Sequence, residues 1–170
     1  MNAKLLIDGK EFDIEILDPE LQKLLTPSKK KTGYERIGKS ERHYYATDDG
    51  GIDDFCEDWD EEGADACYNG ANYYSDKTVA ENNSRADKLM RQLRRFAVEH
   101  REKEINWEEY SDSKWTFFCD YDTRTIDTTF DTCTRSFGNV YFDTVETAQL
   151  AIDTFCDELI WYFTEYKDSL

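Results

Sequence analysis

Proline is nearly absent from this chain: Pro19 and Pro27 are the only two in 170 residues. A proline-rich linker or tail is thereby excluded. Long apolar runs are missing as well, and no window approaches the roughly 18 consecutive apolar residues of a membrane-spanning helix. The opening MNAKLLIDGKEFDIEI has one early lysine and no apolar stretch of signal-peptide length before Asp8. Neither secretion nor membrane insertion is expected from it, and the host cytoplasm is the expected compartment. Cysteine is limited to Cys56, Cys67, Cys119, Cys133 and Cys156. An odd count at wide spacing fits neither a disulfide framework nor a zinc knuckle, so free and mostly buried thiols are expected. Imidazole is rarer still, with only His43 and His100. Basic residues are short by 17 against the acids, which disfavours direct binding to double-stranded nucleic acid.

Aromatic residues are plentiful. They make up 15% of the chain, with 11 Tyr, 10 Phe and 4 Trp, so a folded core is expected despite the acidity. The charge is a mosaic. Residues 1–47 carry +1, residues 48–75 carry −10 with no cation among them, residues 76–103 carry +3 and residues 104–170 carry −11. Such a distribution selects partners, whereas even acidity mainly aids solubility.

Two stretches read alike. HYYATDDGGIDDF, an acidic loop and YNGANYYSDKTVAENNSRADKLMRQLRRF are echoed by WTFFCDYDTRTIDTTF and DTCTRSFGNVYFDTVETAQLAIDTFCDELIWYF. Residues 43–47 and 115–119 are strand-like, with return strands near Ile52 to Phe55 and Ile126 to Phe130. Asp48-Asp49-Gly50-Gly51 is a strong turn signal. A third strand is expected at about 71–74 and at about 139–142, each leading into a helix. Ser75 is the expected cap of the first helix. Asp143, with Glu146 three residues on, is the expected cap of the second. Ala86, Leu89, Met90, Leu93, Phe96 and Ala97 form one helical stripe, and Ala148, Ile152, Phe155, Leu159, Tyr162, Phe163 and Tyr166 the other. These stripes suit a core, and a second chain could complete them as well as a sheet does.

The expected fold is therefore α+β. Two similar units of short antiparallel β-strands followed by an amphipathic helix are preceded by an N-terminal β-hairpin. Residues 1–39 would hold that hairpin around Asp8-Gly9-Lys10, a short helix through Leu21, Leu24 and Leu25, and a basic linker over Thr26 to Lys39. The first unit would span 40–103 and the second 104–170.

Catalytic patterns are weak. No calcium loop, phosphate-binding loop or dinucleotide fingerprint occurs, and neither histidine neighbours a nucleophile motif. Each histidine is expected to be exposed or structurally satisfied. No enzyme activity, cofactor or metal is expected. The acidic surface is the stronger feature. Asp48, Asp49, Asp53, Asp54, Glu57, Asp58, Asp60, Glu61, Glu62 and Asp65 follow one another without a cation. Asp120, Asp122, Asp127 and Asp131 extend the feature in the second unit. Asp120 and Asp122 would share a strand face, as would Asp127 and Asp131, with Tyr121 and Phe130 packed beneath. A folded carboxylate array can present negative points to a groove built for DNA. The contrasting face is basic, with Arg85, Lys88, Arg91, Arg94 and Arg95 on the first helix. That face would contact nucleic acid, pair with the chain's own acidic loops or bind an acidic subsite.

IDGKEFDIEI, KKKTGYERIGKSERHYYATDDGGI, NYYSDKTVAE, KLMRQLRRFA and VYFDTVETAQLAIDTFCDELIWYF are spread along nearly the whole chain. They resemble small acidic accessory proteins encoded by phages and prophages of Gram-positive bacteria. Such proteins include anti-CRISPR and other anti-defence inhibitors, some of them DNA mimics. The resemblance implies an inhibitory protein that binds a basic nucleic-acid-binding protein of host defence, such as a Cas effector with an Arg- and Lys-rich channel. It supplies no catalytic residues. The alternative is a non-catalytic phage accessory protein that binds a replication or regulatory protein without mimicking DNA. A homodimer is compatible with either.

Overall fold

The structure, a computed structural model, describes residues 2–7, 10–20 and 30–170. It divides into two compact units, residues 1–31 and 32–170. In the first, β1 (Asn2–Ile7) and β2 (Lys10–Glu15) pair antiparallel in a two-stranded sheet of their own, with Asn2 opposite Glu15 and Ile7 opposite Lys10. Asp8 and Gly9, on which the expected hairpin turn rests, lie outside the described residues. So does the expected helix through Leu21, Leu24 and Leu25, and so do residues 26–29 of the expected linker. The expected fold is corrected here and at several further points. The N-terminal residues described are a separate strand pair, not a hairpin leading into the repeated units.

In the second unit, β3 (Arg42–Ala46) pairs antiparallel with β4 (Ile52–Cys56). Gly50, at φ +85, makes the turn between them: its N–H donates to the Thr47 carbonyl, and Thr47 N–H to the Gly51 carbonyl, both at 2.9 Å. A side chain on Gly50 would also strike Lys88. After β4 comes a helix the sequence reading did not contain, α1 (Glu61–Asn69), whose N-terminus is capped by the Asp60 carboxylate on Gly63 N–H. The expected third strand is a single antiparallel bridge, Tyr44 to Tyr74. Next to it the Asn72 amide pairs with both backbone groups of Ala46. Then α2 (Lys77–Glu99) begins. Its cap is Asp76, which accepts from Val79 N–H, while the expected cap Ser75 donates its hydroxyl to Glu35.

The pattern recurs. β5 (Lys114–Asp120) pairs antiparallel with β6 (Thr125–Asp131), and Trp115 bridges to Phe142, again as one bridge in place of a third strand. Thr144, not Asp143, caps α3 (Val145–Thr154) through Thr147 N–H. The single helix expected here is two. It breaks at Phe155, and α4 (Cys156–Thr164) follows. Phe155 turns inward to meet Phe96 edge-on, with centroids 5.6 Å apart.

α2 ties the two ββα units together. Near its start Val79 and Ala80 bury against Tyr74, Tyr44 and Ile52 of the first hairpin. Further along, Leu89, Leu93, Phe96 and Ala97 bury against Phe142, Ala148, Ala151, Ile152 and Leu159. Each large apolar side chain removed from water there contributes about 1.5–3 kcal/mol. One helix therefore closes both cores. Residues 32–39 are fixed to this unit rather than strung outside it: Ser75 N–H donates to the Gly33 carbonyl, and Ile37 N–H to the Tyr73 hydroxyl.

Candidate functional site

The acidic stretch begins at the β3–β4 turn. Asp49 accepts from the Thr47 hydroxyl at 2.5 Å and from Gly51 N–H at 3.1 Å, and these bonds hold its carboxyl below the ordinary range. Asp48 and Asp53 are exposed beside it. Tyr45 lies opposite Asp53 in the ladder and donates its hydroxyl to it at 3.3 Å. None of these three carboxylates has an ion-pair partner among the described residues.

Beyond Asp53 the stretch changes character, because residues 36–42 bring cations to it. Arg42 pairs with Asp54 at 2.5 Å, and Lys39 with Glu61 at 2.6 Å. Arg36 forks between Glu57 at 2.8 Å and Asp65 at 2.5 Å. Glu57 is only 3% exposed and cannot form part of a docking surface. The Arg36 guanidinium keeps its carboxyl ionised, and the Tyr73 hydroxyl adds a long bond at 3.4 Å. Asp58 accepts from the Ser40 hydroxyl, and Asp60 is occupied as the α1 cap. Glu62 is exposed. Ten acids uninterrupted in sequence are thus interrupted in space.

In the second hairpin, the register places Asp120, Asp127 and Asp131 on one face, while Asp122 lies in the turn beyond β5. The expected pairing of Asp120 with Asp122 on one face is corrected accordingly. Asp120 instead accepts from Asp122 N–H at 2.9 Å and shapes the turn. Asp131 accepts from the Tyr141 hydroxyl at 2.9 Å. Asp127 is exposed and, among the described residues, bonded only locally, to Thr125. Tyr121 and Phe130 do not pack beneath these acids; they are 69% and 52% exposed. The aromatic residue within the acidic face is Phe118, directly opposite Asp127.

The chain matches no protein-family model, no curated protein and no solved structure. Its site must be read from its own geometry.

On α2 the basic residues divide. Arg85 binds Glu158 of α4 through two hydrogen bonds, at 2.8 and 3.1 Å, and lies 3.9 Å over the Trp161 ring. Arg95 reaches Glu99 at 3.7 Å, and Lys88 lies along Gly50. Arg91 and Arg94 are exposed and form no ion pair among the described residues. Arg85 is therefore committed within the fold, to a helix and not to the acidic loops.

Sequence reasoning missed one buried cation and misjudged the surroundings of one histidine. Lys114 is 1% exposed, and its ammonium donates to the carbonyls of Glu109, Asp112 and Thr132. His43, the residue before the first bridge as Lys114 is before the second, is fully buried. It is not satisfied as expected, for neither ring nitrogen has a hydrogen-bond partner. His100 is simpler, with Nδ1 lying 3.0 Å from the Phe96 carbonyl. Of the cysteines only Cys56 is buried, and Cys133 and Cys156 are exposed, so the expectation of mostly buried thiols is corrected. Among the described residues, no helix is long and apolar enough to cross a membrane, and no cluster of three His, Cys, Asp or Glu side chains is placed to hold a metal.

Proposed function

We propose that the chain is a non-catalytic inhibitor that docks onto a basic nucleic-acid-handling protein of host defence, such as a CRISPR-Cas effector. The contact is made by the acidic ends of its two hairpins. One observation supports this most strongly. In a segment where Arg36, Lys39 and Arg42 pair with acids of β4 and α1, the hairpin carboxylates Asp48, Asp49 and Asp53 form no ion pair among the described residues. Asp122 and Asp127 are likewise exposed and without ion pairs among the described residues. Backbone N–H groups and hydroxyls hold Asp49 and Asp120 in place, so charge is presented in a fixed array. A basic groove that normally holds phosphates would meet such an array at little ordering cost.

The probe is a purified Cas nuclease titrated with the chain while its bound DNA is followed. The expected result is displacement of DNA, weakening steeply as salt rises. Replacing Asp48, Asp49, Asp53, Asp122 and Asp127 together by Asn should reduce affinity by at least about tenfold. Absence of binding at low salt, or affinity unchanged in that variant, would overturn the proposal.

A further inference from the structure

Between α2, α4, β5 and the residues that precede α3, the second unit holds a mainly apolar, open cavity of about 220 Å³. Leu89, Met90 and Leu93 of α2, Val140, and Leu159 and Phe163 of α4 form half of its lining; Thr116, Asn139 and Tyr162 add polar groups, and no charged side chain lines it. An apolar cavity of about 150 Å³ already accepts a benzene ring, so this one has room for a phenyl group. Phe137 stands at its rim. It is 107% exposed, more open to water than any other large apolar side chain described. Gly138, at φ +86, turns the chain beside it, and a Cβ built there meets nothing within 4 Å. The ring is thus carried on a turn that projects from the body.

We propose that the occupant of this cavity is a second copy of the chain, the Phe137 ring of each copy entering the cavity of the other across a two-fold axis. A projecting ring and a ring-sized hole that share one rim make a self-complementary patch. Such a patch closes at two copies and builds no filament. The area sets the strength. An inserted ring buries about 150–250 Å², and two rings with their rims fall short of the about 1,600 Å² of a standard interface. Association is accordingly weak. Each copy carries −17, so the copies repel one another and salt strengthens the pair. Docking on a basic protein has the opposite salt dependence, which separates the two activities.

Sedimentation velocity of the full chain, from micromolar to near-millimolar concentration, tests the pairing. The mass should rise from 20.1 kDa toward twice that value, further at moderate than at low salt. Phe137→Asp should remain monomeric with an unchanged melting temperature, since the exposed ring contributes nothing to the monomer. Met90→Trp, which fills the cavity from its own wall, should also weaken the pair by more than about tenfold. Mixing the two variants unites one intact ring with one open cavity and should restore part of the association. A wild-type chain that stays monomeric throughout would overturn the proposal, as would Phe137→Asp associating like wild type. A lowered melting temperature in Phe137→Asp would also overturn it, by placing the ring in its own cavity. Should Met90→Trp fail to fold, the concentration series and Phe137→Asp still decide.

Discussion

His43 is enclosed by rings rather than by hydrogen-bonding groups. Tyr73 stacks on it with centroids 4.1 Å apart, and Phe55 meets it edge-on at the same distance. Burial pushes its pKa below the ordinary 6.5, against the pull of Glu57 and Asp54 and with the push of Arg36. The folded protein therefore keeps the ring neutral where the unfolded chain takes up a proton. Stability should be full above about pH 6.5 and should decline as the pH falls below it. Urea unfolding across that range checks the expectation, with His43→Phe flattening the decline. An imidazole that titrates at or above the ordinary value by NMR would contradict it. Glu57 acts in a lower window. Its carboxyl is depressed by Arg36, so its contribution is present above about 4.5 and is lost as acid protonates it. Lys114 is the second residue on which the core depends. Lys114→Met should destabilise the chain by about 3 kcal/mol in urea titrations, because three inward carbonyls lose their donor. A loss below about 1 kcal/mol would mean that those carbonyls find another donor.

Elements were legible where their cause is local. Asp48-Asp49-Gly50-Gly51 announces a turn because Gly50 alone tolerates its positive φ, and the paired strands follow from alternation around it. The stripe Leu89, Leu93, Phe96 likewise marks a buried helix face. The third strands were overread because one bridge at Tyr74 or Phe142 looks, in sequence, like the start of a ladder. α1 was hidden by its own composition: Glu61 and Glu62 at its start belong to the acidic run, and Gly63 breaks the helical pattern. Both caps were placed one residue early, since Ser75-Asp76 and Asp143-Thr144 each offer two capping side chains. Tertiary partners decide between them: Ser75 is drawn to Glu35, and Asp143 to the N–H groups of Glu102 and Lys103. Asp76→Ala should therefore cost about 1 kcal/mol in thermal or urea unfolding. Ser75→Ala should cost less, and the reverse order would restore the earlier cap.

For the molecule as a whole, the charge segments of the sequence are a poor guide to the charged surface. Residues 48–75 carry −10, yet Arg36, Lys39 and Arg42, more than ten residues away from the acids they meet, pair with four of those carboxylates. No local pattern encodes such pairings; they exist because residues 32–41 fold back across the hairpin and α1. What the sequence could show was where acid is plentiful. Which acids stay uncompensated is a property of the fold, and it makes the functional reading specific. The decisive measurement compares two triple variants of equal charge against one basic partner, a purified Cas nuclease, by calorimetry at low and moderate salt. Asp48→Asn, Asp49→Asn and Asp53→Asn remove uncompensated charge, whereas Asp54→Asn, Glu61→Gln and Asp65→Asn remove charge already paired. The first set should weaken binding by about tenfold or more and flatten its salt dependence, and the second by less than about threefold. Equal losses in both sets, or no loss in the first, would contradict docking through the hairpin carboxylates.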